Sequence, residues 1–286
     1  MLRKIQRRIA RYLYKANRKA TLTIGSIKGN LVNSYWFDKV PNFGDLLNPI
    51  LLKYYGLTPL HVSRQAAEAL VIGSNLDMQK DDFSGYIVGT GLKNDIYKEF
   101  PKAKIFAVRG EFTRERIDIQ KKIPIGDPGL LIPMMVKKPE KKIYLLGIVP
   151  HFIDKNDEKL KRITSRKNNK ITIIDVQTKP KNVIKNIMQC EYILSSSLHG
   201  LIAADSLGIP NGWIILSDKV QGKGFKFYDY ASAFGRSIKP SFITGNESIK
   251  ELIKMTHDVS NRIVEIQEEL DIVLKKFSEE IRSKNN

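Results

Sequence analysis

Cys190 is the only cysteine among 286 residues. One thiol excludes an internal disulfide and a Cys-rich zinc site, and nothing in cysteine usage points to an oxidising compartment, so a cytoplasmic protein is expected. Acidic side chains are also scarce: 30 Asp and Glu face 48 Lys and Arg, a formal charge of +18. Such an excess draws a protein toward polyanions, anionic membrane surfaces or negatively charged small substrates. The basic residues are dispersed and do not alternate with aromatics in a recognisable module, which argues against a specific nucleic-acid partner. Long apolar runs are missing too, none approaching the roughly 18 residues of a spanning helix.

A hydrophobic content of 42% is enough for the cores of two ordinary domains. From about residue 30 the runs "LVNSYWF", "EALVIGS", "GYIVGTG" and "KIFAVRG" alternate with helical stretches, the pattern of an α/β layer on a parallel sheet. Asp45 reads as the N-cap of the helix "GDLLNPILLKYYG", with Gly56 as its stop. The alternation restarts after "VKKPEKK" with "IYLLGIV", "ITIIDV", "YILSSS" and "GWIIL". The expected organisation is a basic amphipathic helix (1–22), an N-terminal Rossmann-like domain (23–136), a linker (137–142), a second Rossmann-like domain (143–246) and one long helix (247–286). In that last segment Ile249, Leu252, Val259, Ile263, Ile266, Leu270, Val273, Phe277 and Ile281 recur at helical spacing. The stripe is expected to pack on the body.

At the other end, Leu2, Ile5, Ile9 and Leu13 share one side of a helix crowded with Arg and Lys. Contact with an anionic membrane and packing on the body both account for that pattern.

Ligands of open parallel sheets sit beyond the carboxyl ends of the strands. The residues there are "NFGD" (Asn42, Gly44, Asp45), "GSN", "GTG" (Gly89, Thr90, Gly91) and "RGE" (Arg109, Glu111). Glycines let backbone N–H groups approach a ligand, helix N-termini favour anions, and an arginine ending a strand can present its fork to a carboxylate or phosphate. "GDPG", with Asp127, reads as a turn. Two of the four histidines follow strands: His151 in "GIVPHFID", and His199 in "SSSLHG" beside Ser195, Ser196, Ser197, Leu198 and Gly200. Imidazole suits proton transfer near neutrality, and no ligand cluster for a metal accompanies either ring.

"NFGD", "VRGEFTRE", "GDPGLL", "GIVPHFID", "SSSLHGLIAADSLGIPNGW" and "KGFKFYDYASAFG" resemble, in order and spacing, the polysaccharide pyruvyl transferase family in its bacterial capsule and exopolysaccharide branch. The resemblance implies a GT-B-like pair of Rossmann-like domains and transfer of pyruvate from phosphoenolpyruvate to two hydroxyls of a sugar such as galactose. The product would be a cyclic ketal, with phosphate released and no cofactor. It further implies His199 as the acid, with Asp45 as a second catalytic group. The acceptor would be free or lipid-linked, handled at the inner face of the cell membrane. Many family members carry an arginine where this chain has Ser197, so another cation must hold the donor; Lys223, Lys226 and Arg236 are the candidates. A GT-B glycosyltransferase using a nucleotide-sugar is the alternative reading.

Overall fold

The computed structural model describes residues 16–136, 141–165 and 170–285. Most of the expected amphipathic helix and most of the linker lie outside these residues. The described chain opens with helix α1 over residues 16–27, on which Leu22, Ile24 and Ile27 are exposed.

Two parallel five-stranded sheets follow. The first takes β1 (Leu31–Ser34), β2 (Thr58–His61), β3 (Ala69–Leu70), β4 (Tyr86–Val88) and β5 (Lys104–Ala107) in the order β2-β1-β3-β4-β5. The second takes β6 (Tyr144–Val149), β7 (Ile171–Ile173), β8 (Cys190–Ser195), β9 (Asn211–Ile215) and β10 (Ser241–Phe242) in the order β10-β9-β8-β6-β7. Read from β7, the second order repeats the first. In each sheet the winding reverses between the first strand and the third, at β1/β3 and β6/β8, and a doubly wound sheet opens its ligand crevice at such a reversal.

Helix α2 (Phe43–Tyr54) follows β1, with Asn42 at its N-cap and Asp45 in the first turn. The expected cap is thereby corrected: the Asn42 amide donates to the Asp45 carboxylate, which faces inward. The chain leaves α2 through Gly56, whose φ of +74° favours glycine. Helix α3 (Glu111–Arg116) follows β5, a 3-10 turn spans Pro128–Leu131, and the short helix α4 (Ile132–Met135) ends the first layer. Helices α5 (Glu158–Ser165), α6 (Pro180–Met188), α7 (Leu198–Ser206) and α8 (Phe225–Ser232) belong to the second.

The C-terminal segment is not one helix. Helix α9 (Ile249–Ile253) stops where His257 exchanges backbone hydrogen bonds with Asn211, and α10 begins afresh at Ile263 and runs to Asn285. Between β3 and β4, and between β4 and β5, the chain forms no α-helix, which leaves one face of the first sheet short of cover. Helix α10 supplies that layer: it lies in the same core as α2, its Phe277 ring meets Tyr86 and Phe106 edge-on, and Ser278 donates to the Tyr55 carbonyl at 2.8 Å. One continuous core joins the two layers, running from Phe43 and Leu47 through Leu130 to Leu201 and Ile202.

Candidate functional site

β8 delivers the chain to the β6/β8 reversal, and there the first two hydroxyls of "SSSLHG" each have their own use. Ser195 Oγ donates to the Val149 carbonyl at 2.8 Å and accepts from Ser197 N at 3.0 Å, fastening the end of β6 to the start of α7. A Cβ on Gly200 would stand 2.3 Å from that oxygen, so the glycine lets the first turn of α7 close on Ser195. Ser196 Oγ accepts from His151 N and donates to Asp154, which also accepts from Ser217 Oγ. These bonds tie together the ends of β6, β8 and β9. Ser197 is the N-cap of α7, and its side chain makes no capping bond.

His199 sits in the first turn of α7 with its ring flat against Gly44 in the first turn of α2. A Cβ on Gly44 would come within 2.0 Å of its Nδ1. Two helix N-termini therefore meet at this imidazole. Phe43 N donates to the Val176 carbonyl and Gly200 N to the Ser197 carbonyl, which leaves the N–H groups of Gly44, Leu198 and His199 without intrahelical acceptors, and both macrodipoles favour negative charge in the space between the helices. His199 Nε2 faces Asp127 Oδ2 at 3.8 Å, and both atoms are buried without a hydrogen-bond partner. The other oxygen of Asp127 accepts from Gly129 N at 2.8 Å, the turn role expected of "GDPG". Asp127 itself is the residue that sequence reasoning passed over.

Burial sets the protonation pattern. It pushes Asp127 up to about 7 and Asp45 up to about 6. It pulls His199 and His151 down to about 3, and the Lys226 ammonium adds to both shifts. Lys226, at the start of α8, is itself lowered to about 8, by burial first and then by Arg109 and Lys93. Its charge is felt by Asp45, His151 and His199, and it makes no ion pair among the described residues, which singles it out from the three candidate cations. Arg236 is already committed to Asp205 at 3.3 Å, and Lys223 stands exposed in a left-handed turn.

The first-sheet motifs are placed differently from expectation. Arg109 has no exposed surface: its guanidinium donates to Asp229 at 2.8 Å, to Ser74 at 2.6 Å and to the Leu92 carbonyl. Asp229, on α8, also accepts from Thr113 N and Thr113 Oγ1. Arg109 therefore braces the two layers, and its fork is not open to a substrate anion. Gly91 leaves room for that guanidinium, a Cβ there standing 2.6 Å from Arg109 Cζ. Gly89 (φ +97°) packs on Pro128, and Thr90 Oγ1 donates to the Gly73 carbonyl at 2.8 Å. The Glu111 side chain pairs with Arg114 at the surface. His151 lies beside the site, its ring against Phe152.

Among the described residues no three His, Cys, Asp or Glu side chains gather as ligands of a cation would, and no helix is long and apolar enough to cross a membrane.

The fold and this site define a two-layer α/β protein of Rossmann-like domains, with a buried His–Asp pair and a lysine where the two layers meet. The chain matches the polysaccharide pyruvyl transferase family over residues 7–218 and belongs to that family. It is 38% identical over 159 residues to the uncharacterized protein L143 of Acanthamoeba polyphaga mimivirus, covering 52% of this chain and about half (54%) of that protein. It is 26% identical over 233 residues to the succinoglycan biosynthesis protein ExoV of Rhizobium meliloti (strain 1021), covering 77% of this chain and 70% of ExoV.

Proposed function

We propose that the protein is a pyruvyltransferase of exopolysaccharide or capsule synthesis. It moves pyruvate from phosphoenolpyruvate to two hydroxyls of a sugar, galactose being the first to test, and forms a cyclic ketal without a cofactor. The observation that carries this reading is the meeting of two helix N-termini and the unpaired Lys226 around His199, beside a carboxyl that keeps a proton near pH 7. A donor with a carboxylate and a phosphate on three carbons needs such cationic and N–H surroundings.

The lowered pKa of His199 belongs to the site without donor. An anionic phosphate beside the ring favours imidazolium, and Asp127 has the proton to give. On this reading the pair holds one proton in total: on Asp127 before the donor binds, on His199 after. His199 delivers it to the methylene carbon, creating cationic character at the adjacent carbon, to which the sugar hydroxyls add. The two hydroxyls give up two protons in all, one balancing the proton placed on carbon and one leaving with phosphate. On the same reading Asp45, pushed up only to about 6 and thus largely ionised at neutral pH, takes the proton of a sugar hydroxyl.

Incubation with phosphoenolpyruvate and a galactose-containing acceptor should release phosphate and add the mass of a pyruvate ketal to the acceptor. Turnover of a nucleotide-sugar, with no phosphate release across a broad acceptor panel, would replace this reading with glycosyl transfer. The basic N-terminal segment is proposed to rest on the inner membrane face, since α1 exposes Leu22, Ile24 and Ile27 and the sequence up to Lys19 is rich in Arg and Lys. Unchanged binding to anionic vesicles at low salt after deletion of residues 1–20 would refute that part.

A further inference from the structure

A cavity of about 890 Å³ opens at the carboxyl ends of β9 and β10, against the side of α8, and Ser196 and Asp154 form part of its wall. It thus adjoins the segment that carries His199, yet its chemistry is unlike that of the donor site. Asp218 and Lys223 stand exposed at its rim, whereas the remaining charged groups and the small hydroxyls of the wall are already engaged. Lys159 donates to the Leu216 carbonyl, Asp154 accepts from Ser196 and Ser217, and Thr244 donates to Glu247. What remains is an aromatic wall. The Trp213 ring stacks on Phe227 at 4.4 Å and meets Tyr228 edge-on at 5.2 Å. Tyr228 is 37% exposed, and its hydroxyl makes no hydrogen bond among the described residues. Gly224, at φ +83°, lets the loop lie against Trp213, where a Cβ would stand 2.6 Å from the indole.

A small trianionic donor meets here only Lys159, held by a carbonyl, and the exposed Lys223 in a wall otherwise aromatic and apolar, and is better served between the two helix N-termini and Lys226. An uncharged ligand with flat C–H faces and peripheral hydroxyls suits the cavity, because aromatic surface covers the faces while a free phenol meets the rim. We infer that this cavity binds the acceptor saccharide, with a sugar ring set on Tyr228 and Trp213 so that the chain runs past Ser196 toward His199. The inference rests on the pyruvyl-transfer reading, which supplies the neutral sugar as second substrate.

The chain has two tryptophans, so Trp36→Phe leaves Trp213 as the sole indole reporter. Titrating that variant with galactose-, glucose- and mannose-containing oligosaccharides at millimolar concentration should change its emission saturably for at least one of them. Adding Tyr228→Ala should weaken that response about tenfold. In turnover, Tyr228→Ala should raise the acceptor KM by a similar factor and leave the phosphoenolpyruvate KM in place. Emission that no saccharide moves, or that responds instead to a short prenyl phosphate, overturns the inference. A saccharide response in a protein that never releases phosphate from phosphoenolpyruvate would leave the cavity assignment standing and remove the pyruvyl-transfer reading.

Discussion

His199 and Gly44 are parts of one contact, and their substitutions should fail alike. His199→Gln keeps a polar side chain of similar reach but removes the titrating ring. Turnover should fall by at least about 10²-fold with folding preserved. Gly44→Ala leaves every titratable group in place and should still cost activity, because its methyl group needs the space that the imidazole occupies. Parent activity in a folded Gly44→Ala protein would show that the ring's position does not matter. Asp127→Asn should separate activity from stability. The folded value of Asp127, about 7, lies above the ordinary 3.8, so the folded chain is penalised for ionising it. The penalty is absent below pH 4, grows as pH rises, and is full above pH 7. Asn keeps the bond from Gly129 N and cannot ionise. The variant should therefore be more stable than the parent at pH 8, by about 4 kcal/mol, no more stable at pH 4, and much less active. Urea melts at the two pH values measure this.

Among elements, the brace between β5, α3 and α8 carries the largest predicted stability change. Arg109→Ala would strand Asp229 as a buried carboxylate with only its Thr113 bonds, at a cost of about 3–5 kcal/mol in urea unfolding. A folded Arg109→Ala protein of parent stability whose phosphoenolpyruvate KM alone rises would return Arg109 to the substrate. The same brace shows where sequence reading ends. "AVRGE" is legible as a strand tip, but what the arginine touches is decided by Asp229, 120 positions away, and no local pattern reports it. Asp127 is similar: its turn-forming oxygen can be read from "GDPG", whereas the second oxygen gains meaning only when α7 brings His199 opposite. His199, Gly44 and Asp45 were legible because strand ends and helix starts are local signals, and the reversal in winding gathers them. The apolar stripe of the C-terminal segment was legible as well. Its interruption was not, since the Asn211–His257 pairing that breaks it joins distant parts of the chain.

For the whole molecule, helix α10 prevents the halves from being separate folding units. It closes the first sheet from the far end of the sequence, through Ile266, Leu270 and Phe277 in the core and through Tyr55 donating to Asp271 at 2.7 Å. A chain ending before Ile263 should lose cooperative unfolding and aggregate, because the face of β1, β4 and β5 would be bared. A soluble, cooperatively melting truncation would show that the first layer is complete without it.

The position of α10 also bears on synthesis. The first sheet leaves the ribosome well before the helix that covers it, and at about 5–20 residues per second the nascent chain carries an open apolar face for on the order of ten seconds. The N-terminal layer therefore cannot mature as it is made. Its consolidation waits until α10 has left the ribosome, and during that interval the nascent polypeptide is suited to holding by a chaperone.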